Sequence, residues 1–96
     1  MTRPPQFTFR LFVAGDAPNS LQAVANLAAF CRDHLADRFE IEIVDVFREP
    51  KRALAEGIFM TPTLVAMTPP PVRRIVGTLS HTQTVLLTLG LLDSAP

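Results

Sequence analysis

A proline standing directly before an apolar strand pattern constrains this chain more than any other feature. In Gly57-Ile58-Phe59-Met60-Thr61-Pro62-Thr63-Leu64-Val65 the proline lies in the middle of the sequence, where a small domain places its core. Pro62 has no N–H to give to a sheet ladder. It belongs at the first residue of a strand, on an edge or at a bulge, and it drives Thr61 out of the helical region. A cis Thr61-Pro62 bond would deliver Thr63 to Met67 into a sheet with a set side-chain register, while an ordinary trans loop is the alternative. The order of the flanking elements favours the strand-opening turn.

Phe7 to Ala14 alternates Phe7, Phe9, Leu11 and Val13 with Thr8, Arg10 and Phe12, a strand whose second face turns apolar near its end. Gly15-Asp16-Ala17-Pro18-Asn19-Ser20 reads as a loop in which Asn19 or Ser20 caps the following helix. Between Leu21 and Leu35, the residues Val24, Leu27, Ala28, Cys31 and Leu35 share one helical face, which needs a sheet to lie on. Phe39 to Phe47 is rich in β-formers with apolar residues on both faces, which predicts a covered central strand. Strand, helix and strand over this length imply a right-handed unit with parallel strands.

Pro50 fits the first turn of a short helix, Lys51 to Glu56, that Gly57 ends. Thr63 to Met67 and Val72 to Val76, joined by Thr68-Pro69-Pro70-Pro71, are two short strands that should pair antiparallel. Ser80-His81-Thr82-Gln83 has capping-box spacing and predicts a final helix through Leu92. The expected order is β-α-β-α-β-β-α in a single α/β domain over residues 1–96, with residues 1–6 and 93–96 as flexible ends.

Composition limits what such a domain can do. Charged residues are 19% of the chain and the formal net charge is zero, which disfavours disorder and removes the basic excess that nucleic-acid binding requires. Near-neutrality in a chain that is 48% hydrophobic favours self-association. No apolar run is long enough to span a bilayer, the N-terminus lacks a signal-peptide pattern, and a single cysteine excludes an internal disulfide, so a cytoplasmic, reduced protein is expected.

The order of elements, with a proline just before the third strand, resembles the thioredoxin fold. Within that group Leu11-Phe12-Val13-Ala14-Gly15, Pro18-Asn19-Ser20, Ile43-Val44-Asp45-Val46, Thr61-Pro62-Thr63-Leu64 and Leu79-Ser80 are similar to the KaiB family of circadian clock proteins. The most specific piece is Pro69-Pro70-Pro71-Val72-Arg73-Arg74-Ile75-Val76-Gly77, and the likeness runs from about Phe9 to Leu92. The resemblance implies a non-enzymatic regulator without a cofactor that binds a hexameric KaiC-like ATPase, with a sensor kinase competing for it. It also implies two folds of one sequence. A thioredoxin-like form docks on the partner, and a resting form of order β-α-β-β-α-α-β rearranges the C-terminal half and self-associates as a dimer or tetramer. Thr61, Pro62, Pro69, Pro70, Pro71, Gly77, Thr88 and Gly90 would then be turn or switch positions, and Arg73 and Arg74 partner contacts.

The last segment supports two periods on its own. As a helix it places Val85, Leu89 and Leu92 in one stripe and leaves Leu87 and Leu91 nearly opposite; as a strand it aligns Val85, Leu87, Leu89 and Leu91 on one face. Two packings of one chain exchange when they differ by only a few kcal/mol. Burial of Leu87 and Leu91 against a loop or a second subunit explains the pattern equally well. The chain also departs from the family: Thr88-Leu89-Gly90 stands where Gly-Leu-Asp is common, Thr78 where aspartate follows Gly77, and Glu42 and Gly57 where lysine is frequent. Threonine for glycine favours helix by roughly 0.3 kcal/mol and glycine for aspartate offsets it, so propensity leaves the resting state open. Loss of the two lysines implies a partner of altered charge, or a weaker one.

Each reactive side chain has a structural reading beside the chemical one. A redox thioredoxin places a thiolate at the start of its first helix, where this chain has Asp16-Ala17-Pro18-Asn19-Ser20. Cys31 falls on the apolar face and reads as a core residue, which ranks an oxidoreductase last. Cys31 and His34 lack further ligands for zinc, since His81 is the only other histidine. Asp45 among valines is a candidate raised-pKa acid or a loop anchor. No glycine-rich phosphate loop is present. A cysteine-less adaptor for another partner, such as a histidine kinase, is the alternative function.

Overall fold

The computed structural model describes residues 5–91. Its elements are β1 (Phe7–Val13), α1 (Pro18–His34), β2 (Phe39–Asp45), α2 (Pro50–Ala55), β3 (Thr63–Thr68), β4 (Arg73–Val76) and α3 (Thr82–Thr88). This is the expected order, and the thioredoxin-like arrangement, not the β-α-β-β-α-α-β alternative, is the one present. The expectations for residues 1–4, for Leu92 and for residues 93–96 lie outside the described residues. Gln6 accepts a hydrogen bond from Arg38 at 2.7 Å, so it is tied to the start of β2.

The four strands run in the order β2-β1-β3-β4, with β1 and β2 parallel and both β1–β3 and β3–β4 antiparallel. Alternation then sorts side chains between two layers. Phe7, Phe9, Leu11 and Val13 of β1, with Leu64 and Ala66 of β3, meet Ala23, Leu27, Phe30 and Cys31 of α1, Val85 of α3 and Leu89 just after it. On the other face Phe12, Val44 and Val65 pack with Ala53 of α2 and with Ile58. The sheet is thus sandwiched between α1 and α3 on one side and α2 on the other.

Several local expectations are corrected. The strand covered on both faces is β1, not β2: β2 is an edge, and Ile43 is 44% exposed. On the side toward α2 only Val44 is apolar and buried, while Glu40 and Glu42 are exposed. The buried face of α1 is centred on Ala23, Leu27, Phe30 and Cys31, while Ala28 is exposed and Val24 half-buried. Small alanines at neighbouring positions blur the helical phase, and Phe30 sets it because it has the most area to bury.

Neither predicted side-chain cap forms. Pro18 occupies the first position of α1 after Ala17, and the Ser20 hydroxyl instead accepts a hydrogen bond from the Ala14 amide at 3.0 Å, tying helix to strand. α3 begins after His81 with no side-chain cap, and Ser80 shares a short hydroxyl contact with Thr78. α3 also stops at Thr88 rather than Leu92. Gly90, at φ 74°, donates to Leu87 O at 3.1 Å and Leu91 donates to Leu86 O at 2.8 Å, the paired bonds of a left-handed helix stop. Gly57, at φ 67°, ends α2 in the same way, with Ile58 donating to Ala53 O at 2.9 Å.

Candidate functional site

The chemistry expected of this architecture would sit at the start of α1, and its residues there are hydrogen-bonding and apolar rather than nucleophilic. Asp45 closes that corner: its Oδ1 accepts from the amides of Gly15 at 3.1 Å and Phe47 at 2.9 Å. It anchors two loops, as the plainer reading of this residue held. Cys31 is fully buried among core side chains, and burial pushes its thiol up to about 12, so it stays protonated at neutral pH. Phe30 and His34 lie ring to ring at 4.8 Å on α1, which places His34 at the rim of the core. Among the described residues no group of three or more potential metal ligands comes together.

What remains is surface. Thr61-Pro62, whose isomer the sequence left open, is cis and precedes β3, and two further cis bonds, Thr68-Pro69 and Pro70-Pro71, lie in the β3–β4 link. The turn is braced from both sides. The Thr63 hydroxyl donates to Met60 O at 2.6 Å, and the Gly77 amide donates to Pro62 O at 2.9 Å. Held by these bonds, Phe59 projects its ring into solvent at 88% exposure, with Met60 and Val76 exposed beside it. They rim a hollow of about 150 Å³ lined also by Gly57, Ile58, Thr63 and Arg74. This apolar surface was not among the positions singled out from the sequence. The signal was present as Phe59-Met60 next to the strand-opening proline, a place where a core segment would not put two large side chains unless they faced out.

The two arginines fall on opposite faces of β4, as strand alternation requires. Arg74 is exposed on the α2 side and donates to the backbone carbonyls of Glu56 and Gly57 at the end of α2. Arg73 is half-buried on the α3 side, where its guanidinium lies 3.4 Å from the point a side chain at Gly90 would occupy. The switch positions therefore divide. Thr61, Pro62 and Gly77 join at the opening of β3, Pro69, Pro70 and Pro71 form the exposed link, and Thr88 and Gly90 end α3. The Thr88 hydroxyl donates to Thr84 O at 2.8 Å within that helix.

A charge network on the α2 face links three elements. Arg10 donates to Glu42 at 2.9 Å and to Glu56 at 2.7 Å; Arg52 forks onto both oxygens of Glu42 at 2.8 and 2.9 Å and reaches Glu49 at 3.3 Å. Hydrogen bonds from Arg52 and then Arg10 hold the Glu42 carboxyl down at about 2. Glu42, noted only as a departure from lysine, is thus the hub of a clamp between β1, β2 and α2. Nothing in the local sequence gives this away, because the partners meet only through the β1–β2 register that sets Arg10 beside Glu42.

Among solved structures, the chain is similar to the N-terminal domain of SasA from Synechococcus elongatus, with TM-score 0.75 and 18% identity over all of this chain and 93% of that one. It is also similar to chloroplastic thioredoxin z, with TM-score 0.74 and 19% identity over 90% of this chain and 78% of the other. Both likenesses concern the fold. Among curated proteins, circadian clock protein KaiB3 of Synechocystis is 42% identical over 90% of this chain and 84% of its own length. Circadian clock oscillator protein KaiB of Prochlorococcus marinus is 40% identical over 90% of this chain and 72% of its own. The KaiB domain model matches residues 10–91, from the middle of β1 to beyond the end of α3. With that match spanning the sheet, the strand-opening proline and the triple-proline link together, the chain belongs to the KaiB family.

Proposed function

We propose that this protein is a non-enzymatic regulator of circadian-clock type that binds a KaiC-like hexameric ATPase in its thioredoxin-like arrangement, with a C-terminal half able to refold. The observation that carries the reading is the exchange of chemistry for surface. The position where a thioredoxin carries its thiolate holds Asp16-Ala17-Pro18-Asn19-Ser20, and the sole thiol is sealed in the core. At the same end of the sheet, where Thr63 pairs with Phe12, Phe59, Met60 and Val76 stand exposed beside Arg74, a pairing of aromatic and arginine typical of binding hot spots. Refolding of the C-terminal half is supported by α3, where Leu87 and Leu91 remain exposed although the alternative period would unite them with Val85 and Leu89. In that rearranged resting form the chain self-associates as a dimer or tetramer.

Co-sedimentation with a KaiC-type hexamer, prepared in each of its nucleotide and phosphorylation states, tests the reading. Binding in at least one state is expected, weakened by Arg74→Ala and by Phe59→Ala. No binding in any state overturns it. Offering the chain a sensor kinase and the hexamer in separate experiments tests the adaptor alternative, for which capture by the kinase and not by the hexamer is the expected result.

A further inference from the structure

Sulfur is distributed unevenly over this fold. The chain has one cysteine and three methionines. Cys31 is fully buried between the sheet and α1, where its thiol stays protonated at neutral pH. Met67, on β3, is half-buried and packs against the cluster of Phe12, Val44 and Val65. Among the described sulfur-bearing residues Met60 alone stands in solvent, at 63% exposure, on the segment between α2 and β3. Its backbone is held by the Thr63 hydroxyl, which donates to Met60 O at 2.6 Å, and its side chain rims the hollow shared with Phe59 and Val76.

We propose that Met60 is a reversible oxidation site, at which hydrogen peroxide or an organic hydroperoxide converts the thioether to a sulfoxide and strips the apolar character from the surface it shares with Phe59 and Val76. The sulfur lone pair attacks one peroxide oxygen, the S–O bond forms as the O–O bond breaks, and the departing oxygen takes the proton left on the transferred one. Water or an alcohol is released. Sulfur gives up two electrons and the peroxide takes them. A thiol must first become a thiolate to react, whereas a thioether has no proton to lose, so access to the sulfur decides which side chain is modified.

The product changes little in size and greatly in polarity. A thioether is apolar and adaptable, suited to packing on a partner, whereas the S=O oxygen is an acceptor that a dry contact leaves without a donor. Resting on the binding role proposed above, the consequence is a surface open for docking only while Met60 is reduced. A redox thioredoxin carries its sensitive sulfur at the start of the first helix. Here the accessible sulfur lies at the same end of the sheet, where Phe12 pairs with Thr63, but on the segment before β3. Enzymatic reduction of the sulfoxide restores the thioether, so the change can be undone.

Peroxide treatment of the full chain at neutral pH, followed by peptide mass mapping over time, tests the site. Met60 should gain one oxygen at least about tenfold faster than Met67, with Cys31 unchanged. On a phenyl column the oxidised chain should elute earlier than the untreated one, and sulfoxide reductases of both epimer specificities, supplied with a dithiol, should return it to its first position. Met67→Leu should keep that response and Met60→Leu should lose most of it, with circular dichroism verifying that both variants are folded. Co-sedimentation with the KaiC-type hexamer reads the consequence for docking: oxidation should weaken capture of the native chain and of Met67→Leu at least about tenfold. Equal rates at Met60 and Met67, a retention unmoved by oxidation, a response equally large in Met60→Leu, or equal capture of oxidised and untreated chain would overturn the proposal. An untreated chain that the hexamer does not capture overturns the functional reading above instead, and the mass and retention readings still decide the role of Met60.

Discussion

Substituting alanine at Leu89 and at Leu87 separates the two periods that the last segment allows. Leu89 is 6% exposed and lies in the core under α3, so Leu89→Ala removes three buried carbons. At about 0.8 kcal/mol for each methylene-sized group the transfer loss is roughly 2.4 kcal/mol, and a residual cavity raises it to about 3 kcal/mol. Leu87 is 44% exposed, so only about half of that transfer term is at stake, and alanine is a slightly better helix former. Leu87→Ala should cost about 1 kcal/mol. Urea unfolding of both variants, compared at equal slope, reads the difference as a gap between midpoints. In an extended segment the two leucines share one face and would cost alike. Equal losses, or a larger one at Leu87, would refute the helical packing of Thr82–Thr88.

Two further outcomes follow from the titrating groups. The Glu42 carboxyl is held at about 2, below its ordinary 4.5, so its contribution is present above the unfolded value and fades as pH falls from about 4.5 to 2. Nearly half of that side chain is exposed and screened, so Glu42→Gln should lower stability by only about 1 kcal/mol at neutral pH. Thermal unfolding should find that gap closing near pH 2; a gap unchanged across the range would contradict the pairing. Cys31, fully buried and raised to about 12, should resist alkylation in the native state at neutral pH and react only as the chain unfolds; rapid native labelling would contradict the packing of α1.

The order of the seven elements was legible because its signals are local. Pro50, Gly57 and Pro62 each act on their own stretch of backbone, and their conformational limits do not depend on distant contacts. The position of β2 was not legible, because apolar residues on both faces describe a covered strand and a partly covered edge equally well. Only the crossover placing β3 against β1 distinguishes them. The caps failed for a related reason: Ser20 and Ser80 have suitable oxygens, but the Ala14 amide and the Thr78 hydroxyl reach them first. Of the candidate site, the place of Arg74 on β4 and the lack of a thiol at the start of α1 could be read directly, whereas Arg73 lies on the other face of that strand. The clamp of Arg10, Glu42, Arg52 and Glu56 could not, since its members are brought together by strand register and helix docking. The exposure of Phe59 and Met60 likewise depends on how the turn before β3 is braced.

The layers on the two sides of the sheet are unequal. Beneath α1 and α3 lies a broad apolar bed running from Phe7 to Leu89, whereas α2 meets the smaller cluster of Phe12, Val44 and Val65 through Ala53 alone, with Ile58 just beyond it, and is otherwise fastened by charged side chains at its margins. With less apolar area holding it than α1 has, α2 is the helix expected to open first in hydrogen exchange. Any remodelling of residues 50–91 therefore has a natural first step, the departure of α2, which leaves the β1–β2 pair standing as a template on which the remainder of the chain can lay itself down again.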